Sequence, residues 1–413
     1  MTIAHAIGRA WLSTGGAAGE TTGAQNYDEF ADEAEITEII SANPTSALAV
    51  EMPHRAPESV GRTFAESLAD ASARLNAAKS AGHYLPYDDV AVVYGITAPD
   101  GATAYGLWCM VDTDQISTSE DEPGLVIRNE DVFIDKVRER VALVEHIGHL
   151  LSPVLLIATD QAPALQEALA LTAHEFGTPV VSDTDQAGRR HEIWPVLTAD
   201  RRDELLAVAG SAELIVADGN HRSLAAQMAK LPRFLAVITT PESVEIQAYH
   251  RLIASAPAVS ELVDRLRTAG AEITALRPPV TVPAARGTIH VYGGPEAYYA
   301  IRLPATLGAA DVENLDHALV ERVLMRDALG LDAGHKDITY VGGDYPPDWL
   351  AGEVDSGRAG LAVLIPPVAV ADFISVNRAR RSLPRKSTWF TPKARAGLVV
   401  AELDLVPVPV PDR

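Results

Sequence analysis

At 413 residues the chain is too long for one ordinary core and points to two domains, with 47% hydrophobic residues to fill them. A formal net charge of −22 argues against general nucleic-acid binding, which needs clustered positive charge. The single cysteine, Cys109, excludes an internal disulfide framework and any multi-cysteine zinc site.

In chain order, the Gly- and Thr-rich stretch 14–24 reads as loop. Phe64, Leu68, Ala71 and Leu75 recur at helical spacing and predict a helix over 62–79. Apolar runs predict strands at 90–95 and 104–112. A second amphipathic helix is expected over 132–151, then a strand at 154–158, a helix at 162–175 and strands at 179–183 and 191–196. A helix at 201–210 leads to a strand at 213–217, and strands follow at 234–240 and 244–247. Beyond 256 the pattern restarts: a helix at 258–269, strands at 288–292 and 298–303, and a helix over 315–329. The last elements are a strand at 338–341, a helix at 347–356 and a strand at 361–365. Interleaved strands and helices predict an α/β (α+β) class with mixed sheets and flanking helices. The domains are expected at 1–255 and 256–413. The Pro-alternating end, 406–411, is read as extended. No apolar run approaches the roughly 20 residues of a membrane span, and the N-terminus lacks a basic region followed by an apolar one. The expected location is cytoplasmic, with no membrane and no nucleic acid as partner.

The most informative segment is Asp218-Gly219-Asn220-His221-Arg222, between an apolar run and a helical segment that opens at Ser223. Gly219 permits a turn most residues cannot make. The helix start offers backbone N–H groups and the positive end of its dipole, a ready place for phosphate. Arg222 adds a fork that matches phosphate oxygens, and His221 titrates near neutral pH. Ordinary turn chemistry also uses Asp, Gly and Asn, but it has no need of His-Arg. Further on, no acid occurs between Asp372 and Glu402, while Arg378, Arg380, Arg381, Arg385, Lys386, Lys393 and Arg395 all fall there. Such a basic stretch is either a face paired with acidic surface or a segment that meets an anionic ligand.

Two motifs carry a resemblance to a known family. Ala217-Asp-Gly-Asn-His-Arg222 is similar to the Ala-Asp-Gly-His-His-Arg of the family described as domain of unknown function 1015. Leu383-Pro-Arg-Lys-Ser-Thr-Trp-Phe-Thr-Pro-Lys393, followed by Ala396-Gly-Leu-Val399, resembles that family's Met-Pro-x-Lys-Ser-Thr-x-Phe-x-Pro-Lys with its closing Gly-Leu-Val. Weaker echoes are Arg128-Asn-Glu130 with Arg138 and Arg140, Leu151-Ser-Pro153, His191 with Trp194, His250-Arg251-Leu252 and Val341-Gly-Gly343. The chain departs from the family at Asn220, where a first His is usual. Asn cannot shuttle protons, so His221 is left as the candidate. Asn26-Tyr-Asp28 only partly matches the family's Pro-Pro-Tyr-Asp.

The Asp-Gly-x-x-Arg corner is also similar to the nucleotide-binding loop of the ParB/sulfiredoxin-like fold, a superfamily that includes a free-serine kinase. The resemblance implies a nucleotide-binding core plus a second α/β domain. It also implies a kinase-like phosphotransferase acting on serine or a related hydroxylated metabolite, with ADP or ATP and Mg as cofactors. A non-catalytic nucleotide or metabolite sensor is the alternative. Phosphoryl transfer asks mainly for positioning and charge neutralisation. Gly219, Asn220, Arg222 and Ser223 are expected to bind phosphate, joined by Lys386, Ser387, Thr388 and Lys393, with His250 and Arg251 as a further anion contact. Asp218, His221 and Glu130 are the candidate catalytic groups. The two motifs are expected to share one anion, with Lys386 or Lys393 within a ligand's width of Arg222. Arg138 and Arg140 are two apart on a helix, so at most one reaches a site. His146 and His149 lack a third ligand, and no metal site is expected.

Overall fold

A computed structural model describes residues 2–15, 21–117, 124–128, 130, 132–305 and 311–404. The stretch 14–24 lies partly, and the end 406–411 wholly, outside the described residues. The chain forms two compact units: Met1–Arg128, Val132–Val244 and Pro392–Arg413, and Asn129–Asp131 with Glu245–Thr391. The sequence places one boundary after 255. In the structure Glu245–Gln247 and His250–Ile253 already belong to the second unit, because they pair with Trp389–Thr391 and with Ile338–Val341 and Leu361–Leu364. The chain then returns to the first unit, where Val399–Glu402 pairs with Ile7–Ser13 and His149–Leu150. Such long-range pairing leaves no mark in local periodicity.

Both units are mixed α/β, as the interleaved pattern predicts. The first is built on a large mixed sheet. Its central order is Leu214–Asp218, Val154–Ala158, Arg233–Thr239, Thr103–Asp112, Tyr84–Thr97 and Ile7–Ser13. Among the described residues, only the pairings of Val154–Ala158 with Arg233–Thr239, and those at the short Ile116–Ser117 and Val126–Ile127 edge, are parallel. One core, including Leu107, Val111, Leu156, Leu165, Leu206 and Val216, is completed by the helices Ala162–Phe176 and Ala199–Ala209. A second core, including Ile36, Leu48, Leu75, Leu143 and Val400, is completed by Glu33–Ala42, Leu68–Ser80 and Ile134–Ile147. Each fully buried Leu, Ile or Val contributes roughly 1.5–3 kcal/mol of transfer free energy. Helix Ile134–Ile147 ends earlier than expected because Gly148 adopts the left-handed conformation (φ 66°) that terminates helices. Cys109 lies on Thr103–Asp112, flanked on both sides by strands and fully buried.

The second unit holds a six-stranded antiparallel sheet in the order Glu272–Ala275, Tyr298–Arg302, Thr288–Tyr292, Leu361–Leu364, His250–Ile253 and Ile338–Val341. Ile253, Leu262, Val291, Leu324 and Val363 share its core. The helix expected over 315–329 is two segments, an α-helical turn at Asp316–Leu319 and a wider π-helix at Val320–Leu329. Nothing in the sequence marks the wider turn. Val341-Gly342-Gly343, which follows the edge strand, makes close backbone contacts. A Cβ added at Gly342 would lie 2.3 Å from the ring of Trp389, and one at Gly343 2.5 Å from Gln247 Cβ. Trp389 is buried, donates its indole N–H to Asp344 at 3.2 Å and meets the Tyr249 ring edge-on. With so many contacts the ring cannot yield cheaply. Gly342→Ala should therefore cost about 1–3 kcal/mol in urea unfolding; a variant as stable as the parent would show that the ring moves aside freely.

Candidate functional site

The Asp-Gly-Asn-His-Arg corner sits between the buried strand Leu214–Asp218 and the helix Asn220–Met228. Where the strand pairs with Val154–Ala158, the register shifts between Val216 and Asp218, a β-bulge. A bulge breaks the two-residue alternation and re-aims the residue that follows it, here Asp218. Gly219 has φ 95°, a backbone state that side chains resist. It also lies under the Arg222 guanidinium: an added Cβ would approach Nε at 3.1 Å and Cζ at 3.2 Å. Gly219 thus permits both the turn and the folding back of Arg222.

Asp218 is gripped by two cations, one on each oxygen. Oδ1 accepts from Lys393 Nζ at 3.0 Å, and Oδ2 accepts from Arg222 Nη2. Burial works to raise the Asp218 pKa, but Lys393 and then Arg222 outweigh it and hold the carboxyl below its ordinary value. Arg222 Nη1 donates to Asn26 Oδ1 at 3.1 Å and to the Pro153 carbonyl, and Asp28 lies 3.9 Å from Nη2. Burial opposes the charge on Arg222, yet Asp218, Asp28, Tyr27 and Glu51 together raise its pKa. Lys393, from the C-terminal motif, therefore reaches the loop and shares one carboxylate with Arg222.

Several further residues gather around this pair, and of them Glu51 left no sign in the sequence. Asn26 orients Arg222 and is itself held by Glu29 Oε1, which accepts its backbone N–H at 3.0 Å. Arg140 is 4% exposed and stacks over Tyr27 at 4.1 Å and Phe64 at 4.9 Å, whereas Arg138 is exposed and pairs with Asp135. Of two arginines on nearly opposite faces of one helix, only Arg140 faces inward. Glu51 Oε1 accepts from Ser152 at 2.6 Å, and burial raises the Glu51 pKa against the pull of Arg140. Glu51, Arg140, Ser152 and Arg222 are among the residues lining a cavity of about 40 Å³ with an otherwise mostly apolar wall. Tyr27 Oη, Glu51 Oε2, Arg140 Nε and Nη1, Asn220 Oδ1 and Arg222 Nε have no hydrogen-bond partner among the described residues. Buried polar atoms left in this state are costly unless water or a ligand completes them. The signals for this group were partial family echoes, Asn26-Tyr-Asp28, Leu151-Ser-Pro153 and the pair Arg138 and Arg140. Glu51 had none.

His221 is 7% exposed and lies flat against the Phe133 ring. Its Nε2 accepts the Phe133 N–H at 3.0 Å, which places the ring proton of neutral His221 on Nδ1. Ser223 is buried and its hydroxyl donates to the Asn220 carbonyl at 3.0 Å, so it ties the first turn together.

The remaining candidates lie in the second unit. Glu130 Oε1 accepts the backbone N–H of Lys386, and Glu130 bridges to Leu383. Lys386 has φ 56°, an uncommon state for a residue with a side chain, and its ammonium sits 5.5 Å from the Tyr249 ring centre. Ser387 is fully buried and donates to the Pro384 carbonyl at 2.5 Å; Thr388 leads into the strand Trp389–Thr391. Lys-Ser-Thr is thus a tight turn closed by Glu130. Arg251 is fully buried. It donates to Glu321 Oε1 at 3.2 Å and to the Tyr249, His250 and Arg385 carbonyls, and stacks on Tyr340 at 4.4 Å. His250 is also buried, and its Nδ1 accepts the Ile365 N–H at 3.2 Å. Burial and then the Arg251 charge push the His250 pKa down to about 4.

A histidine with a depressed folded pKa adds no pH dependence above about 6.5, where both states are neutral. Below that the unfolded chain takes up a proton the folded chain refuses. His250 should therefore withdraw roughly 3 kcal/mol of stability between pH 6.5 and 4. His250→Gln keeps an acceptor for Ile365 and should lower the slope of unfolding free energy against pH in that window by about one proton. An unchanged slope would refute the assignment.

Among solved structures the chain is similar to a conserved hypothetical protein from Pyrococcus furiosus, at 15% identity and TM-score 0.38 over 70% of this chain and 95% of that one. It is similar to a free serine kinase in complex with AMP, at 14% identity and TM-score 0.39, over 70% and 92%. It is also similar to C-terminally truncated SbnI from Staphylococcus aureus, at 13% identity and TM-score 0.39, over 70% and 87%. These likenesses are too slight to carry an argument, and the functional reading rests on the chain's own residues. No curated protein matches the chain in sequence. No described helix is long and apolar enough to cross a membrane. A family model described as "Protein of unknown function (DUF1015)" matches residues 20–318, well over half the chain, and the chain belongs to that family.

Proposed function

We propose that the protein is a nucleotide-dependent small-molecule phosphotransferase of kinase type, with phosphate bound at the Asp218–Arg222 corner. The observation that carries this reading is the convergence of Arg222 and Lys393 at the first turn of helix Asn220–Met228, beside a left-handed Gly219. A helix start with two cations and close backbone approach is the arrangement that phosphoryl groups favour. The acceptor in this reading is serine or a related hydroxylated metabolite. Its charged end would complete the unpartnered atoms of Arg140, Glu51 and Tyr27. Among the described residues no three His, Cys, Asp or Glu side chains form a metal-binding group. A magnesium ion would therefore arrive with ADP or ATP and borrow one or two carboxylates, as this hard cation commonly does.

One observation favours the second reading, a sensor that binds without turnover. His221 Nε2 is held by a backbone N–H, which leaves it no lone pair for a substrate proton. Incubation with ADP or ATP, magnesium and free amino acids, followed by phosphorus NMR, separates the two readings. A phosphorylated amino acid supports the kinase; nucleotide binding with no product supports the sensor. Arg222→Ala should weaken nucleotide binding by about tenfold or more in calorimetric titration, through loss of a charge-assisted contact. Unchanged affinity in a variant that melts cooperatively would remove the corner from the nucleotide site.

A further inference from the structure

Resting on the reading of the corner as a phosphate site, we propose that Asp218 is its resident anion. Its carboxylate occupies the position an incoming phosphate must take, and phosphate binds by displacing it from Arg222 and Lys393. Each Asp218 oxygen meets one cation, Lys393 Nζ at 3.0 Å and Arg222 Nη2. Two oxygens of a phosphoryl group would meet the same two donors. The bulge after Val216 aims Asp218 at this place. The other terminal nitrogen of Arg222 is committed to Asn26 Oδ1 and the Pro153 carbonyl, so the guanidinium stays put while Nη2 changes partner. Asp218 is the most exposed of the three side chains, at 17% against 11% for Lys393 and 8% for Arg222. It is the one with room to swing towards solvent. A second acid, Asp28, stands 3.9 Å from Arg222 Nη2, so a phosphate entering beside an undisplaced Asp218 would face two carboxylates.

The arrangement sets a sign opposite to that of an ordinary binding residue: removing the Asp218 charge strengthens binding of a bare anion. The probe is inorganic pyrophosphate, titrated without divalent metal into the full chain. Asp218→Asn should bind it at least about tenfold more tightly than the parent, because the carboxylate charge that competes for Arg222 and Lys393 is gone. A second variant guards against misfolding. Asp218→Ala empties the position, so added formate should raise its melting temperature well beyond any effect on the parent. Equal or weaker pyrophosphate binding by Asp218→Asn, with the parent still binding magnesium-nucleotide, overturns this proposal alone. So does an Ala variant that formate neither restores nor stabilises. Failure of every form to bind pyrophosphate or magnesium-nucleotide overturns the phosphate-site reading together with it.

Discussion

The ionic contact of Asp218 with Arg222 and Lys393 is the constraint around which the first unit's polar centre is arranged. Three largely buried charges are tolerable only when each is paired, since an unpaired charge away from water is heavily penalised. The local backbone serves that pairing. The bulge turns Asp218, the left-handed glycine lets Arg222 fold back, and Asn26 and the Pro153 carbonyl take the other half of the guanidinium. Asn26 in turn is held by Glu29, whose pKa is raised by burial and lowered by Lys393. The acids and bases of this centre therefore set one another's protonation, and a change at any of them is felt at Asp218.

The second unit uses buried charge differently. Arg251 has every nitrogen engaged by Glu321 or by backbone carbonyls, and two aromatic rings flank it. Its neighbours His250 and His317 are held neutral, chiefly by burial and then by the Arg251 charge. An arginine with all its side-chain donors engaged is fixed in place, although Glu321 Oε2 and His317 Nδ1 beside it have no hydrogen-bond partner among the described residues. Glu130 acts in the same spirit on the Lys-Ser-Thr turn, where its carboxylate supports a left-handed lysine that would otherwise carry a strain of roughly 1 kcal/mol or more.

The legible part of the structure was the local part. Apolar runs and helical spacing located the strand Leu214–Asp218 and the helix Ala162–Phe176 closely, and the helix expected over 62–79 at its end though not its start, which comes only at Leu68, because burial writes its period into sequence. The corner was legible because His-Arg after Asp-Gly-Asn exceeds what a turn needs. Lys393 was legible because a basic stretch in so acidic a chain invites an anionic partner. What could not be read depends on distant pairing. The return of Val399–Glu402 to Ile7–Ser13, the inward turn of Arg140 and the burial of Glu51 follow from tertiary contacts. The π-helix at Val320–Leu329 is invisible for a related reason, since its buried positions fit an α-helical reading nearly as well.

The order of segments has a bearing on how the protein is made. The first unit begins with the N-terminal strand, yet it waits for the residues after Thr391, which include Lys393 and the strand Val399–Glu402. A ribosome would release the whole second unit before the first could close. Throughout that interval Ile7–Ser13 lacks one neighbour, and Asp218 lacks one of its two cations. Exposed strand edges of this kind are where chains pair wrongly during synthesis. The residues after Thr391 thus carry both the missing strand and the missing charge, and the ionic centre forms only after the second unit has been made.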